Sequence, residues 1–299
     1  MPNTHLPHPE DTIFTGDLRV LRDLYSRGHV SLKIDGAPSV VWGVHPETDK
    51  FFVCTKAAFN KKKNRICYTT DDINKYFGHQ DDVANMLFLM LKLLSRETFT
   101  GVYQGDFMGF GGTDTFKTNT LTYVFPEDVS QSIVIAPHTI YNVTDKLSNA
   151  VAEPLMEMFD DTKHIKWVQP SVDYVFNDIK PPVINTDSVE FMTKKESDVV
   201  QIQINALIKS GQSPTDKDLN YLLGDIYLTN LYQLVKDVKE DLMDCMIVTD
   251  SPKCYLPDGT EVVGEGFVFY SETGRSYKLV DRPQFSYTNF TSGKFNQQS

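Results

Sequence analysis

The fold is organised around the stretch Val30-Ser31-Leu32-Lys33-Ile34-Asp35-Gly36-Ala37-Pro38-Ser39-Val40-Val41-Trp42-Gly43. Two apolar, β-rich runs flank Asp35-Gly36, and this pattern predicts a hairpin with a tight turn at those two residues. Lys33 lies among apolar neighbours, where a lysine is rarely buried unless it is paired or functional. Such a lysine can act as a nucleophile. The competing interpretation is an alternating strand that turns Lys33 to solvent, since a Lys-x-Asp-Gly match by itself also arises by chance.

The composition is that of an ordinary globular protein. The chain has 299 residues, 40% hydrophobic and 23% charged, enough for one large domain or two smaller ones. A net charge of −11 argues against charge-driven nucleic-acid binding over the whole surface, although it leaves room for a local basic groove. The longest apolar run, 84–94, is too short to span a bilayer, and the first residues do not form a secretory signal. We therefore expect no membrane association.

The cysteines and histidines have no metal-binding or disulfide pattern. The seven histidines are scattered without zinc-ligand spacing, and the four cysteines have no close pairing. We expect reduced thiols and a cytoplasmic location, which is the host cytoplasm if a phage encodes the protein. The cysteines are Cys54, Cys67, Cys245 and Cys254.

Periodicity divides the chain into β-rich, helical and β-rich segments. The predicted strands of the first segment are 51–56, 101–110, 121–126 and 132–136, with the last two paired, and its helices are 71–77 and 81–97. Helical spacing then covers 149–159, 188–208 and 216–245, and a hairpin turns at 272–274. We predict a core domain made of 1–145 and 246–299, with 146–245 as a helical insert or accessory module.

The densest basic cluster is Asn60-Lys61-Lys62-Lys63-Asn64-Arg65. A charge run of this kind is typical of a solvated loop. The alternative is a contact to phosphates.

Several motifs occur in an order that resembles the DNA/RNA ligase and mRNA-capping family of covalent nucleotidyltransferases. Lys33-Ile34-Asp35-Gly36 resembles the family's K-x-D-G nucleophile motif, and Glu265-Gly266-Phe267-Val268 matches its E-G-x-V motif. Tyr103 to Phe107, Tyr123-Val124-Phe125 and Tyr277-Lys278-Leu279 resemble three further motifs. The region from Lys33 to Tyr68 also resembles ligase-like proteins of large tailed phages.

The resemblance implies a role for each motif. Lys33 would be the nucleophile and Lys278 the cation at the α-phosphate, while Glu265 and Asp106 would serve the metal, Mg²⁺. Asp106 would also contact the ribose and Phe125 the base. The nucleotide-binding residues predicted in this way are Leu32, Asp35, Gly36, Lys56, Asp106, Phe125, Glu265 and Lys278.

The resemblance implies an α+β, ligase-type nucleotidyltransferase fold of antiparallel sheets with flanking helices. Pro38 stands where ligases of the DNA type and capping enzymes usually have an arginine, and Val280 stands where the last motif commonly has a second lysine. The short stretch after Lys278 leads us to expect no C-terminal OB domain. These departures fit RNA ligases better than DNA ligases or capping enzymes.

The function implied by the resemblance is an ATP-dependent RNA ligase or a related adenylyltransferase. It would form a covalent lysyl-AMP and join 5′-phosphate to 3′-hydroxyl ends, of RNA in preference to DNA. Two alternatives are a non-ligase nucleotidyltransferase and a catalytically silent ligase-fold protein that binds nucleotide or nucleic acid. The sequence does not distinguish ATP from GTP, and it does not indicate an oligomeric state.

Overall fold

The computed structural model describes residues 6–174 and 180–285, and it is a mixed α/β protein with several antiparallel sheets. The helices are α1 (Pro9–Thr12), α2 (Arg19–Leu24), α3 (Thr70–Phe77), α4 (Asp81–Leu94), α5 (Lys194–Lys209), α6 (Asp216–Leu223) and α7 (Ile226–Asp244). The first strands are β1 (Gly28–Leu32), β2 (Ser39–Val44), β3 (Phe51–Thr55), β4 (Val102–Phe110), β5 (Thr115–Lys117), β6 (Thr122–Val124), β7 (Ile133–Asn142) and β8 (Val151–Pro154). The remaining strands are β9 (Ile165–Trp167), β10 (Ser171–Tyr174), β11 (Met246–Thr249), β12 (Lys253–Tyr255), β13 (Glu261–Val262), β14 (Phe267–Ser271) and β15 (Ser276–Leu279).

The chain forms two compact units. Unit 1 contains Ile34–Gln169 and Ser251–Cys254, and unit 2 contains Leu6–Lys33, Pro170–Asp250 and the chain from Tyr255 onward. The helices of the predicted accessory segment lie in unit 2 together with Lys33, so they do not form a unit of their own. Among the described residues, none of the helices has both the length and the apolar character that crossing a bilayer requires.

Unit 1 is built on a six-stranded sheet. The antiparallel strands run in the order β3-β2-β4-β7-β8, and β9 lies parallel to β7. Trp42, Tyr103 and Trp167 stack in its core, where the Trp42 and Trp167 ring centroids are 5.7 Å apart. Such aromatic burial is a large part of the stability of a domain of this size. The predicted pairing of strands 121–126 and 132–136 is wrong, because β7 pairs with β4 and β6 pairs with β5.

Helices α3 and α4 begin within one residue of where the sequence predicts, whereas α4 ends at Leu94, three residues before the predicted end. The Thr69 side chain accepts a hydrogen bond from the Asp72 amide, and the Asp72 carboxylate accepts one from the Thr69 amide, which forms a capping box at α3. Two acidic residues, Asp81 and Asp82, occupy the first turn of α4, where their negative charges stabilise the helix by interacting with the positive end of its dipole. These local signals explain why the sequence predicts both helices well.

Unit 2 combines the three-stranded antiparallel sheet β1-β14-β15 with α1, α2 and α5–α7. The predicted hairpin between β14 and β15 is confirmed. The predicted helix over 149–159 is wrong, because that segment contains β8 and extended chain. The predicted long helix over 216–245 is two helices, since Gly224 adopts a left-handed conformation with φ 69° and Asp225 caps α7.

Buried ion pairs in unit 2 connect α1 with α7 and with Arg282, which follows β15. The Lys239 ammonium on α7 lies 2.9 Å from the Glu10 carboxylate, and both side chains are at most 2% exposed. The Arg282 guanidinium contacts the Asp11 carboxylate at 2.6 Å. Burying a charge without a partner destabilises the folded state. Each of these ion pairs places an opposite charge beside a buried one and so offsets that cost.

The pH dependence of stability is expected to include a contribution from His8. Burial lowers the pKa of His8 to about 3, and the Nδ1 atom has no hydrogen-bond partner, so the folded protein holds a neutral imidazole. The unfolded chain, with a histidine pKa of about 6.5, then binds a proton that the folded chain lacks, and His8 destabilises the fold as the pH falls from 6.5 towards 3. Between pH 7 and pH 5, the free energy of unfolding measured with urea should fall by about 2 kcal/mol less in His8→Leu than in the wild type. Equal losses would contradict the prediction.

Candidate nucleotidyltransferase site

Lys33 and Glu265 form an ion pair within unit 2. The Lys33 ammonium donates to the Glu265 carboxylate, although 232 residues separate the two in the chain. Their side chains are 27% and 15% exposed, so the pair is accessible at its edge. The first and the fourth of the motifs that resemble ligase motifs are therefore in direct contact.

Backbone hydrogen bonds hold this ion pair in register. The Lys33 amide donates to the Gly266 carbonyl at 2.8 Å, and the Glu265 amide donates to the Lys33 carbonyl at 3.3 Å. These bonds extend the antiparallel β1–β14 ladder beyond Leu32, which pairs with Phe267. Leu32 is buried against Gly264, where an added Cβ would lie 3.2 Å from the leucine side chain. Leu32 therefore packs beneath the loop that carries Glu265.

Lys278 lies on the same sheet. On β14 and β15, alternate residues such as Phe267, Phe269 and Leu279 are buried, whereas Val268 and Lys278 face the half-buried side. Lys278 pairs with Val268, which pairs with Ser31, two residues before Lys33. Neighbouring strands lie about 4.8 Å apart, so the Cα atom of Lys278 is about 10 Å from the Cα atom of Ser31. Because side chains alternate along a strand, Lys33 is on the same face of the sheet as Ser31 and Lys278. Unit 2 thus gathers two lysines and one carboxylate from three separate motifs.

The two departures from the family pattern have structural roles in this fold. Val280 is buried, and its carbonyl accepts a hydrogen bond from the Lys239 ammonium at 3.2 Å. The Pro38 carbonyl accepts one from the Phe107 amide at 3.1 Å in unit 1. Neither position adds a cation to the group around Lys33.

Asp35 is a structural anchor in unit 1. Its buried carboxylate accepts hydrogen bonds from the Thr120 amide at 2.6 Å and the Leu121 amide at 3.2 Å. Its own amide donates to the Tyr123 hydroxyl at 2.7 Å. The predicted hairpin turn is wrong here: β1 pairs with β14, β2 pairs with β3 and β4, and Asp35 binds the 118–121 loop.

Gly36 is required because the backbone passes close to Asp106. A Cβ at position 36 would lie 2.7 Å from the Asp106 Cβ. We expect Gly36→Ala to lower the free energy of unfolding by about 1–3 kcal/mol, since overpacking forces the backbone or neighbours to shift. Urea denaturation tests this, with Gly101→Ala as the matched control, because an added Cβ there has no neighbour closer than 3.5 Å. Equal effects of the two substitutions would contradict the steric explanation.

Asp106 has a histidine neighbour that the sequence does not reveal. The His138 Nε2 atom on β7 lies 3.9 Å from the Asp106 Oδ2 atom on β4. Asp106 pairs with Ser39 on β2 and with Ala136 on β7, two residues from His138. In the sequence His138 is one of seven scattered histidines, and only the pairing of β4 with β7 indicates its connection to Asp106.

Lys56 and Phe125, the other predicted nucleotide contacts, also lie in unit 1. Lys56 is exposed and follows β3 directly, at the start of a short 3₁₀ helix, Lys56–Phe59, that leaves the sheet. Phe125 is buried and packs edge-to-face on Phe116, with the ring centroids 5.3 Å apart. Lys56 is therefore open to a ligand, whereas the Phe125 ring is largely covered.

The buried thiols of Cys54 and Cys67 are expected to be unreactive. The four cysteines are free, and burial raises the pKa of both Cys54 and Cys67 to about 12. A thiol with so high a pKa stays protonated at neutral pH and is a poor nucleophile or metal ligand.

The arrangement of the His, Cys, Asp and Glu side chains decides what kind of metal site the protein can form. Across 6–174 and 180–285, no group of three or more His, Cys, Asp or Glu side chains is arranged to hold a metal ion. Mg²⁺ usually keeps several waters and binds through one or two carboxylates together with substrate phosphates, so a dedicated protein cage is not needed. Glu265, half-buried beside Lys33, fits this mode of binding.

A surface depression of unit 2 is separate from these residues. It has a volume of about 630 Å³ and is lined by the ends of α5 and α6, including Phe191, Val199 and Leu222. It contains none of the predicted site residues.

The family profile of DUF6267, a family of unknown function, matches residues 3–227 and 220–294. The chain belongs to the DUF6267 family. Neither a curated protein nor a solved structure matches the sequence significantly. The residues that match the profile include parts of both compact units, and membership in DUF6267 assigns no activity to either unit.

Proposed function

We propose that this DUF6267 protein is an ATP-dependent RNA ligase or a closely related adenylyltransferase. The observation that carries the proposal is the Lys33–Glu265 ion pair, which joins the K-x-D-G and E-G-x-V motifs. A chance match of two short motifs does not require the lysine of one to contact the glutamate of the other. Their contact therefore supports a shared chemical role.

Lys33 would act as the nucleophile. Its amine attacks the α-phosphorus of ATP, a nitrogen–phosphorus bond forms, and the bond to the β-phosphate oxygen breaks with release of pyrophosphate. Before the attack the Lys33 ammonium would lose a proton to water, and Glu265, in contact with it, would position the nitrogen. Lys278, on the same face of the sheet, would balance the negative charge that develops on the α-phosphate.

Mg²⁺, when bound, would supply further charge neutralisation at the phosphates. Glu265 is the residue of unit 2 that would hold it, directly or through water. The AMP would then pass from Lys33 to a 5′-phosphate end, which breaks the nitrogen–phosphorus bond, and a 3′-hydroxyl would attack that 5′-phosphate and displace AMP.

The test is incubation with ATP labelled at the α-phosphate and Mg²⁺, followed by a denaturing gel and peptide mapping by mass spectrometry. We expect a label that survives denaturation, requires Mg²⁺ and maps to the peptide containing Lys33. A protein that binds ATP without any covalent label would overturn the proposal, and so would a label on another residue. Label from GTP but not ATP would correct the nucleotide and leave the chemistry standing. Nicked and single-stranded RNA substrates then separate a ligase from an adenylyltransferase that acts on another acceptor.

A further inference from the structure

One surface of unit 1 carries a positive charge that the proposed chemistry does not use. Residues 50–70 include six lysines and arginines and no acidic residue, in a chain whose net charge is −11. Within this stretch, Lys61, Lys62 and Lys63 are exposed. None of the three takes part in an ion pair with another described residue. We name the segment Asn60–Arg65 the basic loop.

The backbone of the basic loop is held in place. The Asn60 side-chain oxygen accepts hydrogen bonds from the Lys62 amide at 3.0 Å and the Lys63 amide at 3.3 Å. The Arg65 amide donates to the Ala57 carbonyl at 3.3 Å, which closes the base of the loop. A loop with a fixed backbone loses less conformational entropy when it binds a ligand.

The core of unit 1 anchors the far end of the loop. Cys67 exchanges two backbone hydrogen bonds with Val53 on β3, at 3.0 and 3.2 Å. The Arg65 guanidinium lies over the Phe77 ring of α3, 5.7 Å from its centroid. The nearest acidic residues, at the start of α3, compete little for the lysines, because the Asp72 carboxylate accepts hydrogen bonds from the Tyr68 and Thr69 amides. Asp71 is exposed and, like the hydrogen-bonded Asp72, carries a negative charge that opposes an anion.

We propose that the basic loop binds the phosphate backbone of single-stranded RNA. This inference deepens the proposed function and rests on it for the choice of polynucleotide. Each lysine is a single point charge on a flexible side chain, and three in succession suit a series of separated phosphates, whereas one phosphate is better held by a planar, bidentate arginine. The loop residues Asn60 to Arg65 include no apolar side chain, whereas membrane-surface segments combine basic residues with apolar ones that enter the lipid. A polyanion in water is therefore the partner that the loop fits.

The test is fluorescence anisotropy with a labelled 20-nucleotide single-stranded RNA at several salt concentrations, without ATP. The variant replaces Lys61, Lys62 and Lys63 by alanine, and the matched control replaces Lys194, Lys195 and Lys217, three exposed lysines of unit 2. Loss of three phosphate contacts should weaken binding at least about tenfold at low salt and reduce the slope of log K against log salt by about 2. The control should bind as the wild type does.

The inference is overturned if the wild type does not bind RNA, or if both triple variants bind alike. It is also overturned if phosphatidylserine vesicles, and not RNA, show the dependence on the three lysines. Melting temperatures of the variants check folding, since exposed substitutions of this kind usually change stability by less than about 0.5 kcal/mol. Because the assay contains no ATP, RNA binding without a covalent label would refute the proposed catalysis and leave the basic loop as an RNA contact.

Discussion

Lys33→Ala is expected to lose the covalent label from α-phosphate-labelled ATP, by at least about a thousandfold. The reason is chemical: without the Lys33 amine, no atom at this position can form the bond to phosphorus. Lys33→Arg should lose the label as completely, although it keeps a positive charge opposite Glu265. Label per mole of protein, measured from initial rates, checks both variants.

Two further variants make this result specific. Lys278→Ala should label about a hundredfold to a thousandfold more slowly, because it loses charge stabilisation and keeps the nucleophile, and its label should still map to Lys33. Lys217→Ala, which removes an exposed lysine of α6, should label like the wild type. If Lys33→Ala and the wild type label equally, the assignment of the nucleophile is wrong.

Lys239→Met is expected to lower the free energy of unfolding by about 3–5 kcal/mol. Methionine fills much of the same space but leaves Glu10, which is 1% exposed, without its 2.9 Å partner in the interior of unit 2. Among the described residues the Glu10 Oε2 atom has no hydrogen-bond partner, and the remaining ion-pair partner of Glu10, the Arg282 guanidinium at 3.6 Å, is already paired with Asp11 at 2.6 Å, so the charge on Glu10 would be only partly compensated. Urea unfolding monitored by circular dichroism gives the change in free energy.

Lys236→Met is the matched control, because Lys236 lies one turn earlier on α7 and pairs with Glu240 at the surface. That exposed pair should contribute less than about 1 kcal/mol. The double variant Glu10→Gln with Lys239→Met should recover a large part of the loss, since it removes the uncompensated charge as well. A loss no larger than that of Lys236→Met would show that the buried pair does not stabilise unit 2.

Local sequence signals predicted several elements well. The starts of α3 and α4 follow from a capping box and from acidic residues in the first turn, which lie within a few residues of the helix they start. The β14–β15 hairpin follows from the short turn that joins its strands. Signals of this kind are complete within one segment of the chain.

The errors share one cause, which is the choice of a distant partner. The spacing around Asp35 and Gly36 resembles a hairpin, yet the Asp35 carboxylate binds amides of Thr120 and Leu121, and β1 pairs with a strand some 240 residues away. The 149–159 segment has helical spacing, but β8 forms there because the edge of β7 offers it a partner. Backbone hydrogen bonds to a sheet edge outweigh a weak helical preference.

The sequence by itself determined the types of most elements, the presence of a Lys-x-Asp-Gly motif and the order of the motifs that resemble those of ligases. Only the tertiary structure decided that Lys33 contacts Glu265, that Lys278 shares their sheet and that His138 lies beside Asp106. Residue preferences and turns act over a few neighbouring residues, so they can be read locally. Strand partners and ion pairs such as Glu10–Lys239, 229 residues apart, depend on which surfaces can be buried together.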